Sequence, residues 1–286
     1  MRMNTFFIKA LYWAAPLAIA GSLVSCSGKK TGEETSAADT AMADTTSAAA
    51  PASKTDDFLS SLPSPIHLAK IFNRSGLKYV SGLTHAADKA GQYQSANSKA
   101  LNLGVYTTDL AYSTFNNQNQ QALTYFKSVR TLGDGLQMSS MFESTSLLPR
   151  FESNLGNKDS LVYLMGELSL ESDVLLQNAS RLDVVYLSFA GAFTESMFLA
   201  TSLIGQNKNL ELYNRIVDQD KSLNKLVKLL EEYQENGEFA MVIAGLKDIS
   251  AKLAKVNETK SAFDSQEFGE LTKSIKTFRE SITKEV

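Results

Sequence analysis

Apolar side chains recur at helical spacing along most of the chain. Leu223, Leu226, Leu230 and Tyr233 step by three and four residues, as do Leu246, Ile249, Leu253 and Val256, and again Phe268, Leu271, Ile275, Phe278 and Ile282. Each run makes one apolar stripe with charged residues behind it, the pattern of a peripheral bundle helix, and packing on the protein's own core is preferred to a seam for partner helices. Strand-like alternation is scarce, and Pro149 is the only proline between Ile66 and Val286, so the body reads as all-α. Punctuation divides it. Ser64-Pro65 opens a helix, Gly133 and Gly135 bracket a turn, Pro149 breaks the chain, Gly156-Asn157 stops one helix and starts another, Asn236-Gly237 ends one, and Asp264 with Glu267 makes an acidic capping box. The pattern predicts helices near 65–73, 77–89, 96–116, 119–132, 136–147, 158–177, 181–204, 208–219, 222–235, 238–256 and 265–284. The expected fold is an all-α multi-helix bundle of about ten helices. No period of solenoid type is found.

Two of these segments are nearly uncharged. Asp109 is the one charged residue between Lys99 and Lys127, and Glu195 the one between Asp183 and Lys208. Helices that are apolar or small-polar all round are buried by their neighbours, so the segments near 96–116 and 181–204 are expected at the centre. The second approaches the length of a membrane span, but its Glu195, Ser188, Thr194, Ser196, Thr201 and Ser202 suit the interior of a bundle better. A carboxylate on a buried helix costs several kcal/mol unless it is paired. Gly104 and Gly191 precede the two acids by five and four residues, and are expected to leave open space beside them. One expectation is that Asp109 and Glu195 meet at a polar site with Tyr106 and Tyr112 nearby, binding a cation or an amine-bearing ligand. The other is structural pairing with buried hydroxyls or an arginine such as Arg130, Arg150 or Arg181, which is favoured because ion-pair networks also produce buried acids.

Composition redraws the ends of this picture. The 286 residues are 43% hydrophobic and 21% charged with a net charge of −3, an ordinary globular balance with no electrostatic reason to expect nucleic acid. A single cysteine rules out a disulfide framework or a cysteine-rich metal site. It stands at position 26, after a basic start (Arg2, Lys9), an apolar stretch from Ala10 to Gly21, and Leu23-Val24-Ser25. Leu-Val-Ser-Cys resembles a bacterial lipobox, which implies cleavage before Cys26 and lipidation of its thiol, an anchor that needs no spanning helix. Residues 27–57 hold eight Ala, six Thr, four Ser and no aromatic side chain, with a net charge of −3. Such a segment buries too little to offset its ordering entropy and reads as a disordered tether reaching roughly 30 Å. Asp39-Thr40-Ala41 and Asp44-Thr45-Thr46 resemble the O-glycosylation sequon of Bacteroidota, making Thr40 and Thr45 candidate sites, with an unmodified spacer as the alternative. Asp159-Ser160-Leu161 fits the same pattern but reads better as a helix start. The expected organisation is a signal peptide over 1–25, a lipidated tether over 26–57 and one helical domain over 58–286.

Catalytic motifs are not found. His67 and His85 belong to neither a His-Glu-x-x-His nor a Glu-x-x-His pair, and there is no Gly-x-Ser-x-Gly elbow or phosphate-binding glycine loop. No catalytic residue, metal ligand or cofactor is therefore expected. Trp13, the only tryptophan, belongs to the leader, which argues against an aromatic sugar-binding platform. Several stretches resemble an uncharacterised family of Bacteroidota lipoproteins with an all-α exported domain. They are Leu62-Pro63-Ser64-Pro65-Ile66, Lys99 to Tyr106 with Asp109-Leu110, Arg150-Phe151-Glu152 with Asn154, Gly156 to Leu161, and Gly191 with Glu195-Ser196. The family's Gly-Gly-Trp is here Ala190-Gly191-Ala192-Phe193, a looser fit. The resemblance implies an exported, lipid-anchored helical protein and attaches no activity to it. The expected role is a non-enzymatic interaction or structural module at the outer membrane, held by its N-terminal lipid and meeting a protein partner in the cell envelope. The alternative is a bundle that binds a small ligand or cation through Asp109 and Glu195. Lys29-Lys30 precede Glu33-Glu34 after the cysteine, which leaves the periplasmic and surface faces both open.

Overall fold

A computed structural model describes residues 78–284 except 145, 179–180, 207–208 and 236. Cys26, Thr40, Thr45 and the helix expected at 65–73 lie outside the described residues. Those residues form ten α-helices and no strand: α1 Ala96–Phe115, α2 Asn119–Gly135, α3 Ser139–Ser144, α4 Leu147–Ser153, α5 Lys158–Asn178, α6 Leu182–Leu203, α7 Leu210–Val217, α8 Asp220–Leu230, α9 Gly237–Thr259 and α10 Gln266–Thr283. Short 3-10 turns occupy Ala87–Gln92, Ile204–Gln206 and Glu231–Tyr233. Several helix starts follow side-chain capping. Ser95 Oγ accepts from Ser98 N–H before α1, Asn157 Oδ1 from Ser160 N–H before α5, and Asn209 Oδ1 from Leu212 N–H before α7. Gly156 supplies the left-handed turn that α5 needs to restart, at φ +93°. Ser160 thus sits in a first helical turn, as its triplet suggests.

Several boundaries differ from expectation. Residues 78–86 are not helical, and helix 77–89 is replaced by an extended strap with a turn at Gly82, φ +78°. The expected helix 136–147 is instead two short ones, with the reversal at Gln137, φ 62°, so α2 runs through Gly133 and Gly135. Pro149 lies inside α4, in its first turn, where a missing N–H breaks no intrahelical bond. Gly237 begins α9 rather than ending a helix. The cap of α10 is Ser265, whose Oγ accepts from Phe268 N–H, while Glu267 accepts from Ser261 Oγ; Asp264 is displaced by one residue from the capping role.

Helices α1 and α6 are central, as their lack of charge requires, with 15 of 20 and 16 of 22 residues buried. The apolar window of α6 is long enough to cross a membrane and is 83% buried inside the body, the environment of a core helix. One flank carries α2 with α3, α4 and α5; the other carries α8, α9 and α10, with α10 packed on α6 and α1. The stripe residues of α8 (Leu223, Leu226, Leu230), α9 and α10 are buried, and Tyr233 lies half-buried against Phe239. At the centre two backbones touch. A Cβ on Gly104 would stand 1.9 Å from the carbonyl oxygen of Ser188, and one on Gly191 would stand 1.8 Å from that of Leu101. The space expected beside the acids is filled by the facing helix.

Gly104→Ala and Gly191→Ala are each expected to destabilise the fold by about 3 kcal/mol or more, because backbone cannot yield as a side chain can. Gly166→Ala and Gly269→Ala, where a Cβ meets nothing within 4 Å, are expected to stabilise by about 0.5–1 kcal/mol through helix propensity. Urea unfolding of the four variants checks both.

Candidate functional site

The glycine crossing sets the site. About one turn beyond Gly104 and Gly191, α1 and α6 present Asp109 and Glu195 to each other with no solvent exposure. α10 supplies Arg279, whose Nε donates to Glu195 Oε2 at 2.5 Å and whose Nη2 donates to Oε1 at 2.9 Å. The guanidinium also lies 4.1 Å from the ring centroid of Phe198. On the other side, the backbone N–H of His85 donates to Asp109 Oδ2 at 3.0 Å. Asp109 Oδ1 has no donor, and the two carboxyls are within hydrogen-bonding reach of each other.

Charge balance decides how they share that space. Two carboxylates and one guanidinium would leave a net negative charge in a site with no solvent exposure, a costly state. Burial pushes Asp109 well above the usual carboxylate range, and the neighbouring Glu195 pushes it further, while Arg279 and the His85 N–H pull the other way. Burial also raises Glu195, against the opposing pull of Arg279 and of its bond with Asp109. Glu195 takes both guanidinium bonds and so carries the charge. Burial and the neighbouring Glu195 thus favour the protonated form of Asp109, whose Oδ1 otherwise has no partner.

The tyrosines expected to line a ligand site are committed to the strap instead. Tyr106 Oη donates to Ala86 O at 2.7 Å, and Tyr112 Oη accepts from Val80 N–H at 3.0 Å. Tyr125 Oη donates to His85 O at 2.7 Å and lies 2.6 Å from Thr84 Oγ1. Burial raises all three phenols. His85 Nε2 bonds Tyr93 Oη, which in turn donates to Thr283 O at 3.2 Å. Asn102 Nδ2 donates to Ile282 O at 2.8 Å. These contacts hold the strap and the end of α10 on the same region of α1.

Of the arginines considered from sequence, none serves the acids. Arg130 pairs with Asp134, Arg150 with Glu167 through both of its terminal nitrogens, and Arg181 donates to Leu136 O. Arg279 went unnoticed although its position was informative. It falls four residues after Ile275 and three before Ile282, on the apolar face of α10, where a charge must find a buried partner. Among the described residues no group of three or more His, Cys, Asp or Glu side chains could hold a metal ion. Fold and site together define an all-α bundle closed around an acid–acid–arginine cluster. No family model, curated protein or solved structure matches the chain.

Glu195→Gln removes the counter-ion of a buried guanidinium and is expected to cost about 3–5 kcal/mol in urea unfolding. Asp109→Asn should behave oppositely, since an amide donates to Glu195 as the protonated acid does. The folded wild type holds a proton that the unfolded chain releases, so its stability falls as pH rises from the ordinary carboxylate pKa towards the raised one, by up to about 1.4 kcal/mol per pH unit. Asp109→Asn lacks this slope and should gain on the wild type as pH rises above the ordinary carboxylate range; parallel stability curves for the two proteins would refute the shared proton.

Proposed function

We propose that the protein is an exported, lipid-anchored module of the cell envelope that acts by non-enzymatic interaction at the outer membrane. The observation that carries this reading is the closure of the acid cluster. Glu195 is taken by Arg279, and Asp109 by His85 N–H and by Glu195 itself, so the convergent acids are spent on holding α1, α6, α10 and the strap together. The orphaned Asp109 oxygen, the strongest feature in favour of a ligand or cation site, is accounted for by the shared proton. The leader and Cys26 support export and anchoring, with the tether as spacer.

The surface supports a binding role. On α5, Tyr163, Leu170 and Val174 are 69%, 62% and 56% exposed. Their spacing of seven and four residues sets them on one helical face, and exposed Asp159 and Glu171 lie beside them. A row of large apolar side chains left in water on a folded body is the kind of feature that marks a contact surface.

Two measurements test the reading. The wild type should enter the membrane fraction and incorporate a labelled fatty acid, and Cys26→Ala should do neither; an unlabelled wild type would reject the anchor. A photo-crosslinking residue at Leu170 should capture a discrete envelope protein in cells where the same residue at exposed Lys225 does not. Equal patterns from both sites would reject the α5 face as the contact surface.

A further inference from the structure

The strap Tyr79–Ala87 is attached in an unusual way. Apart from Leu83 N–H to Val80 O at 3.5 Å and Lys89 N–H to Ala86 O at 3.3 Å, the bonds that hold its backbone run to side chains of the bundle. Val80 N–H goes to Tyr112, His85 N–H to Asp109, His85 O to Tyr125, Ala86 O to Tyr106, and Ala87 O accepts from Ser128 Oγ at 2.9 Å. The Tyr79 ring stacks on Tyr112 with centroids 5.4 Å apart. Since α1 and α2 keep their own internal hydrogen bonds, the strap can leave without unwinding either helix, an opening of lower cost than global unfolding. When it leaves, Asp109 loses the His85 N–H and its cover over Oδ2.

We propose that the strap is a proton-linked latch: closed, it covers the acid pair with one proton shared between Asp109 and Glu195, and open, it lets water reach Asp109 and take that proton. The step is a simple ionisation. The Asp109 O–H bond breaks heterolytically, the proton passes to water, the carboxylate is hydrated, and Glu195 stays with Arg279. The groups that face Asp109 are Glu195 from α6, Arg279 from α10, Tyr106 and Tyr112 from α1, Tyr125 from α2, and Tyr79 and His85 from the strap. Burial keeps the phenols neutral and the acids keep Arg279 charged. That leaves the acid pair, with the His85 ring bonded to Tyr93 beside it. Because the closed form binds the proton and the open form does not, rising pH favours opening. On the anchored reading proposed above, the strap is the first described segment that follows the tether in sequence. The proton coupling itself does not depend on the anchor.

Hydrogen exchange of the purified full chain tests the coupling without reference to the membrane. After correction for intrinsic base catalysis, exchange at Val80 and His85 should accelerate by up to about tenfold per pH unit in the wild type, while α1, α6 and α10 remain protected. In Asp109→Asn the corrected rates should not depend on pH. His85→Gln, which keeps the backbone N–H and removes the imidazole, should retain the wild-type slope. The latch is overturned if Asp109→Asn keeps that slope or fails to fold, if His85→Gln abolishes it, or if α1 loses protection together with the strap.

Discussion

The contact between the backbones of α1 and α6 at Gly104 and Gly191 is the constraint on which the rest depends. Each glycine faces a carbonyl of the other helix at a distance that excludes a methyl group. Helices that cross so closely gain dispersion contacts along both backbones, and they also fix what the next turn of each must do. Asp109 and Glu195 are the residues in that turn. In a site with no solvent exposure, ionising both acids beside one arginine is disfavoured, so the crossing sets the charge balance of the cluster as well as its pairing.

The cluster then acts through position more than through net stability. A buried ion pair returns little beyond its desolvation cost, but it is satisfied only at one register of the elements that bear it. Arg279 reaches Glu195 only where α10 lies on α6, and Tyr93 and Asn102 pin the carbonyls of Thr283 and Ile282 beside α1. His85 reaches Asp109 only when the strap is laid across the same region. The first and last described segments of the chain are thus locked to the central helix pair by polar groups, in a body whose remaining cohesion comes from non-directional apolar packing.

What could be read in advance follows from the range of each interaction. Stripe residues such as Leu246, Ile249, Leu253 and Val256 report their burial through spacing alone, because a helix repeats its own geometry. The absence of charge around Asp109 and Glu195 likewise announced two buried helices and two acids in need of partners. Residues 78–86 were misread as helix because their polar backbone is satisfied by Tyr106, Tyr112, Tyr125 and Asp109, none of which is a local neighbour. Pro149 was read as a break, though α4 begins at Leu147 and holds it in the first turn, where its missing N–H breaks no intrahelical bond. The two glycines were taken as vacancies when each is an opening shaped by the opposite backbone.

Local chemistry, then, settles in the sequence itself most of the helical stretches and which of their faces are apolar, and it marks where an apolar N-terminal stretch gives way to an Ala/Thr-rich composition. All of these depend on residues within a turn or two of one another, or on composition. The tertiary structure alone decides which cation meets Glu195, which acid is set beside it, and what closes over them. Arg279 lies 84 residues from Glu195, and Asp109 receives its donor from 24 residues away. Contacts at such separations are chosen by how the helices pack, and the deciding packing is the approach that two missing side chains allow.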